Sequence, residues 1–90
     1  NIFPQFKNNG KNLDIKFSKK PILVLSNKFK QSVSKKINFY RNKSNTKLSR
    51  YLESINCEGL IVRPDRFVLA SIKNLKDVRL VTKKNLKLLI

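Results

Sequence analysis

From Ile22 to Leu25 the chain is apolar without a break, opened by Pro21 and closed by Ser26 and Asn27. A short continuous apolar run between turn formers is the pattern of a strand covered on both faces, so 22–25 is predicted to be a central strand. Further along, "GLIV" at 59–62 and "FVLASI" at 67–72 flank the polar break Arg63-Pro64-Asp65-Arg66. Pro64 presets φ for a turn, and the Asp65 carboxylate can accept a hydrogen bond from backbone just downstream. Leu60–Val62 and Phe67–Ile72 are therefore predicted to pair as an antiparallel hairpin.

Between these strands the spacing changes. Phe29, Val33, Ile37 and Tyr40 recur every three or four residues with Lys and Ser between them, which predicts an amphipathic helix. "NKSNT" at 42–46 ends it, and Ser44 or Thr46 is placed to cap a second helix. In that helix Leu48, Tyr51, Leu52 and Ile55 share one face, Lys47, Arg50 and Glu53 the other, and Gly59 stops it. Asn74 is placed to cap a third helix carrying Leu75, Val78, Val81 and Leu89, with Lys83, Lys84 and Lys87 toward its negative C-terminal end.

Residues 1–20 are polar and broken by Pro4 and Gly10, and read as an extended lead-in. Only "LDIKF" alternates there, so that Leu13, Ile15 and Phe17 would share a face of a short edge strand. The predicted order is strand, helix, helix, strand, strand, helix. A helical crossover followed by an antiparallel hairpin implies an α/β fold, a thioredoxin-like mixed sheet with a C-terminal antiparallel hairpin and flanking helices. A ferredoxin-like or ribosomal-type α+β sandwich is the structural competitor. Ninety residues suit a single small domain, divided here into a lead-in at 1–20 and a folded unit at 21–90.

Composition narrows the chemistry. Cys57 is the only cysteine and histidine is absent, so an internal disulfide is excluded and a structural zinc site has almost no ligands. A single cysteine makes cytoplasmic residence the default, and no apolar run reaches membrane-spanning length. The chain begins at Asn1 rather than Met, which suggests a processed chain or the end of something larger. Five carboxylates, at 14, 53, 58, 65 and 77, offer no general acid and base pair. Gly10 and Gly59 are the only glycines, too few for a Gly-rich phosphate loop. Beside Glu58, Cys57 reads as an inert, half-buried thiol, and Arg63 with Asp65 as a turn-stabilising or interdomain pair.

The formal charge of +16, from 21 Lys and Arg against 5 Asp and Glu, raises nucleic acid as a partner. The lysines, however, are spread over nearly every segment. Sixteen Lys and eleven Asn against five Arg is also what A-rich codons write at tolerant surface positions. If the charge is functional, Lys35, Lys36, Arg41, Lys43, Lys47 and Arg50 are the candidate phosphate contacts, with Tyr40 and Tyr51 available for stacking. The chain would then be a small basic RNA- or DNA-binding or ribosome-associated protein.

"RPDRFV" at 63–68, preceded by "GLIV", resembles the Arg-Pro-Asp-x-aromatic-Val signature near the C-terminus of flavin-dependent aromatic-ring hydroxylases, the phenol hydroxylase and hydroxyphenylpropionate hydroxylase group. "IFPQF" at 2–6, Gly10, "LD" at 13–14 and "ILVL" at 22–25 are similar to the stretch that opens the same C-terminal domain. The resemblance implies a thioredoxin-like domain, lacking a Cys-x-x-Cys pair, appended to an upstream FAD- and substrate-binding body. It also implies a monooxygenase parent using FAD, NAD(P)H and O2 to hydroxylate a phenolic ring. Within the fragment it implies no catalytic residue and no bound cofactor or metal. Arg63, Pro64, Asp65 and Phe67 would form the signature turn, and the partners would be the body or a second subunit in a homodimer, not a membrane. The chain departs from the family at Ile15, where a second acidic residue is usual, and at Leu69-Ala70-Ser71, where Ala-Trp-Arg is usual.

Overall fold

The computed structural model describes residues 2–4, 6–8, 11–12, 19–43 and 46–90. The strand expected around Leu13, Ile15 and Phe17 and the cap expected at Ser44 lie outside them. A two-residue ribbon, β1 (Lys7–Asn8) with β2 (Lys11–Asn12), precedes the main sheet. That sheet contains β3 (Ile22–Leu25), β4 (Phe39–Arg41), β5 (Gly59–Val62) and β6 (Val68–Ile72), in the order β4-β3-β5-β6. β3 is parallel to β4 and antiparallel to β5, and β5 is antiparallel to β6. This is the α/β architecture read from the sequence, a mixed sheet closed by a C-terminal hairpin and flanked by helices.

β3 and β5 are apolar at every position after Gly59 and buried throughout. Their side chains alternate between two cores. Ile22, Val24, Leu60 and Val62 face Phe3, Phe6 and the helix α1 (Thr46–Ser54) on one side. Leu23, Leu25 and Ile61 face Phe29, Ile37, Val78 and Leu89 on the other. Thr46 is the first residue of α1 rather than its cap. Leu48 and Leu52, one turn apart, bury its inner face, while Lys47, Arg50 and Glu53 stay exposed.

Asn56, not Gly59, ends α1. Its φ of 55° is left-handed. From there the Asn56 N–H donates to the Glu53 carbonyl at 3.0 Å and the Cys57 N–H to the Leu52 carbonyl at 2.9 Å. That pair of bonds is the Schellman closure, and the accompanying apolar contact joins Leu52 and Cys57 in one core. Gly59 instead opens β5, where an added Cβ would lie 3.2 Å from the Val24 carbonyl oxygen and 3.3 Å from Leu25 Cδ2. The need there is for close approach between strands.

The first predicted helix does not form. Residues 26–38 are a chain of turns, and Phe39–Arg41, whose Tyr40 fits the helical spacing, is a strand. The serines explain the outcome. Ser26 Oγ accepts from the Lys28 N–H at 3.1 Å and Ser34 Oγ from the Lys36 N–H at 3.3 Å, local bonds that compete with the helical ladder. The apolar positions still face inward, since Phe29 and Ile37 are buried and Val33 packs on the same core. Gln31 fastens the loop from two sides, its carbonyl accepting from Arg41 Nη2 and its side-chain oxygen from Arg79 Nε at 2.6 Å. The parallel crossover from β3 to β4 is thus made without a helix.

The third helix is broken into parts: a 3-10 turn at Leu75–Asp77, α2 (Val78–Lys84) and α3 (Leu86–Leu89). Asn85 causes the break, its side chain donating to the Val81 carbonyl at 2.8 Å. Asn74 makes no cap bond to backbone and donates instead to Asp77 Oδ2 at 3.2 Å. The lead-in also contributes to packing, because Phe3 is only 1% exposed and meets Phe6 and Tyr51 edge to face. Replacement Phe3→Ala is expected to cost about 3–5 kcal/mol and Ile61→Ala about 2–5 kcal/mol in urea unfolding. Ile2→Ala, at an exposed neighbour, should stay within about 0.5 kcal/mol.

Candidate interaction surface

The hairpin tip is built by its own sequence. The Arg63 N–H donates to the Phe67 carbonyl at 2.8 Å and the Arg66 N–H to the Arg63 carbonyl at 2.8 Å, leaving Pro64, Asp65 and Arg66 as the loop. A three-residue hairpin loop needs a left-handed third residue, and Arg66 supplies it with φ 72°. Asp65 Oδ1 accepts from the Phe67 N–H at 3.1 Å, as the sequence indicated. The Arg63–Asp65 ion pair, 3.0 Å long, is more than half exposed at one partner and half exposed at the other.

Arg66 also reaches back to the N-terminal segment. Its Nε donates to the Phe3 carbonyl at 3.2 Å and its guanidinium lies 5.9 Å from the Phe3 ring centre. The Phe3 N–H donates to the Arg66 carbonyl at 2.7 Å, and Ile2 bridges to Phe67 in antiparallel fashion. The start of the described chain is therefore laced to the turn. Nothing in the local pattern announced this link, although the apolar "IFPQF" in a polar lead-in marked residues needing cover.

Beside this junction the sheet is uncovered. The register of β5 with β6 shifts between Ile61 and Val62, which leaves Leu69 as an extra residue. Val68 consequently packs on the α1 side while Ala70 and Ile72 pack on the other. An open cleft of about 560 Å³ follows, between the end of α1, Ile2 and β6, lined by Tyr51, Ile55, Leu60, Val68 and Leu69 among others. Ile2 is 65% exposed, Leu69 43% and Ile55 38%, so large apolar side chains cluster around one opening. Ile55, expected on the inner face of α1, lies past its end at the rim of the cleft. The unbroken "VLA" within an otherwise alternating strand was the trace of the bulge.

Cys57 and Tyr51 lie at the floor of this cleft. The Cys57 thiol is buried and donates to the Ile55 carbonyl at 3.3 Å, filling the space beyond the helix stop. Burial first, and the neighbouring Cys57 second, push the Tyr51 phenol above its ordinary pKa. Tyr51 therefore holds its proton, and packs as an aromatic against Phe3 and Phe6 at centroid distances of 5.7 and 5.6 Å. It is half-buried and keeps part of its surface in the cleft.

The structure divides the basic candidates. Lys35 and Lys36 are exposed on loop 26–38, whose apolar residues pack on one face of the sheet. Lys47 and Arg50 are exposed on α1, which packs on the other face. Lys43 is exposed just after the edge strand β4. Arg41 is committed internally, bonded to the Gln31 carbonyl with its guanidinium 5.7 Å from the Phe29 ring centre and 5.9 Å from that of Phe39. Tyr40 is half-buried against the α1-side core.

Among the described residues no group of three His, Cys, Asp or Glu is placed to hold a metal ion, and no helix is long and apolar enough to cross a membrane. No protein-family model matches the chain, and neither a curated protein nor a solved structure matches it. Two outcomes follow from the geometry. Arg63→Ala should cost less than about 1 kcal/mol in denaturant unfolding, because the pair it breaks is solvent-screened. The native state holds the Tyr51 proton more tightly than the unfolded chain. Its contribution is therefore complete below the ordinary tyrosine range and is lost as pH rises through the raised value. Unfolding midpoints measured from neutral pH upward should fall less steeply in Tyr51→Phe than in the parent above about pH 10.

Proposed function

We propose that the chain is a non-catalytic packing domain, the thioredoxin-like C-terminal domain of an FAD-dependent aromatic-ring hydroxylase. The observation that carries this reading is the open cleft, with Ile2, Ile55 and Leu69 exposed at its lining, beside the hairpin that bears Arg63, Pro64, Asp65 and Phe67. Clustered apolar side chains around one opening are the mark of a surface that another body covers. On this reading the cover is the upstream FAD- and substrate-binding body or a second subunit. FAD, NAD(P)H and the hydroxylation of a phenolic ring belong to that body, and the ninety residues supply contact surface. The protein works in the cytoplasm, where one reduced thiol is the ordinary state.

The test begins with the coding sequence ahead of Asn1. A flavin-binding frame there supports the reading, and a start codon directly before Asn1 with nothing upstream overturns it. In the whole protein, Leu69→Asp with Ile55→Asp should raise proteolytic release of this domain several-fold. The same changes should leave the circular dichroism of the isolated ninety residues unchanged.

The charge of +16 favours a second reading, a small basic nucleic-acid-binding protein with Lys35, Lys36, Lys43, Lys47 and Arg50 wrapping the edge strand β4. It predicts micromolar binding to generic RNA or DNA at physiological salt, with log affinity falling by about 0.7 to 0.9 per phosphate contact for each tenfold rise in salt. A titration that shows no binding at physiological salt removes it.

A further inference from the structure

On the side of the sheet opposite the hairpin cleft, loop 26–38 does not close fully on α2, and a cavity of about 220 Å³ lies between them. Phe29, Val33, Ile37, Val78 and Leu86 make its walls apolar. Its polar atoms come from Ser32, Ser34, Arg79, Thr82 and Lys83, and no carboxylate lines it. Among these the Thr82 hydroxyl stands out, because its oxygen is buried without a hydrogen-bond partner. A threonine in a helix ordinarily returns its hydroxyl to a carbonyl one turn back. The other groups are partly engaged: Ser34 Oγ accepts from the Lys36 N–H, and Arg79 Nε donates to Gln31.

The arrangement selects a ligand by chemistry. The volume equals that of about seven liquid waters at roughly 30 Å³ each, while the apolar walls offer such waters few partners. An aromatic ring or short acyl chain fits that space and those walls. Arg79 and Lys83 are one helical turn apart on α2, both are exposed, and both line the cavity with Thr82. Two cations and an unused hydroxyl, with no carboxylate in the lining, call for an anion at that end. We propose that this cavity binds a small apolar monocarboxylate, its carboxylate accepting a hydrogen bond from Thr82 and paired with Arg79 and Lys83. The ligand's apolar body then lies against Val33, Ile37, Val78 and Leu86. This site does not depend on the identity of any body covering the hairpin cleft.

The test is a nuclear magnetic resonance titration of the full chain with benzoate, followed at amide and methyl groups. Saturable shifts confined to Val33, Ile37, Val78, Thr82 and Leu86 are expected at up to millimolar ligand, with benzamide at least about tenfold weaker. Thr82→Val preserves side-chain shape and should weaken benzoate by about tenfold or more, the usual loss for a hydrogen bond to a charged group. Val33→Trp fills the cavity from the loop side and should abolish binding while leaving the shifts of β3 and β5 in place. Shifts spread over the surface lysines without saturation overturn the proposal. So does equal benzoate binding by the parent chain, Thr82→Val and Val33→Trp, in which case the cavity holds water only.

Discussion

The antiparallel pairing of Ile22–Leu25 with Gly59–Val62 dictates the rest of the molecule. Both strands carry large apolar side chains on both faces, so the sheet at its centre has no side that can be left to water. Each such side chain contributes about 1.5–3 kcal/mol only if it is covered. A ninety-residue chain must therefore furnish two covers from the little that lies outside the sheet. One is α1 with Phe3 and Phe6, and the other is loop 26–38 with α2 and α3. The N-terminal segment is drawn into the core for this reason, and its attachment to Arg66 fixes it at the far end of the hairpin.

Thin covers leave gaps, and the two candidate sites are those gaps. α1 has nine residues, enough to bury Val24, Leu60 and Val62 but not to extend over β6, whose bulge at Leu69 turns further apolar surface toward the uncovered region. On the opposite side, a chain of turns stands where the spacing predicted a helix, and it meets α2 imperfectly around Thr82. A helix at 27–38 would have satisfied its own backbone and packed more regularly. Ser34, one of the serines that divert it into turns, also lines that cavity.

What the sequence disclosed was whatever short-range physics decides. Ile22–Leu25, the hairpin strands and the Pro64-Asp65 turn are specified within a few residues, and all stand as read. α1 follows from Leu48, Tyr51 and Leu52 in the same way. Failures came where distant partners decide. Phe39–Arg41 is a strand because β3 offers it a parallel edge, through pairs such as Val24 with Tyr40, and a three-residue segment cannot announce that by itself. The apolar positions of 27–38 do face inward, as their spacing predicts, but from turns rather than a helix, since a four-residue spacing also fits turns whose serines bond locally. Asn56 in place of Gly59 as the helix stop was legible only in retrospect, since asparagine tolerates the left-handed region less freely than glycine. The open cleft needed the bulge at Leu69 and the strap at Ile2 together, and neither has a local signature strong enough to predict the other.

Charge distribution follows the same logic. Three of the five carboxylates occupy joints: Glu58 accepts from Ser26 Oγ at 3.0 Å where β3 ends, Asp65 shapes the hairpin turn, and Asp77 holds Asn74 before α2. Each of these three carboxylates serves as a specific acceptor, whereas Glu53 is exposed on the outer face of α1. A surface with 21 Lys and Arg against 5 Asp and Glu repels itself, and the fold tolerates the repulsion because it rests on apolar contacts within two buried cores. It also discourages association of two identical chains through any face rich in lysine. The hairpin cleft, where Ile2, Ile55 and Leu69 are exposed and no lysine or arginine is in the lining, offers another protein a contact free of that opposition.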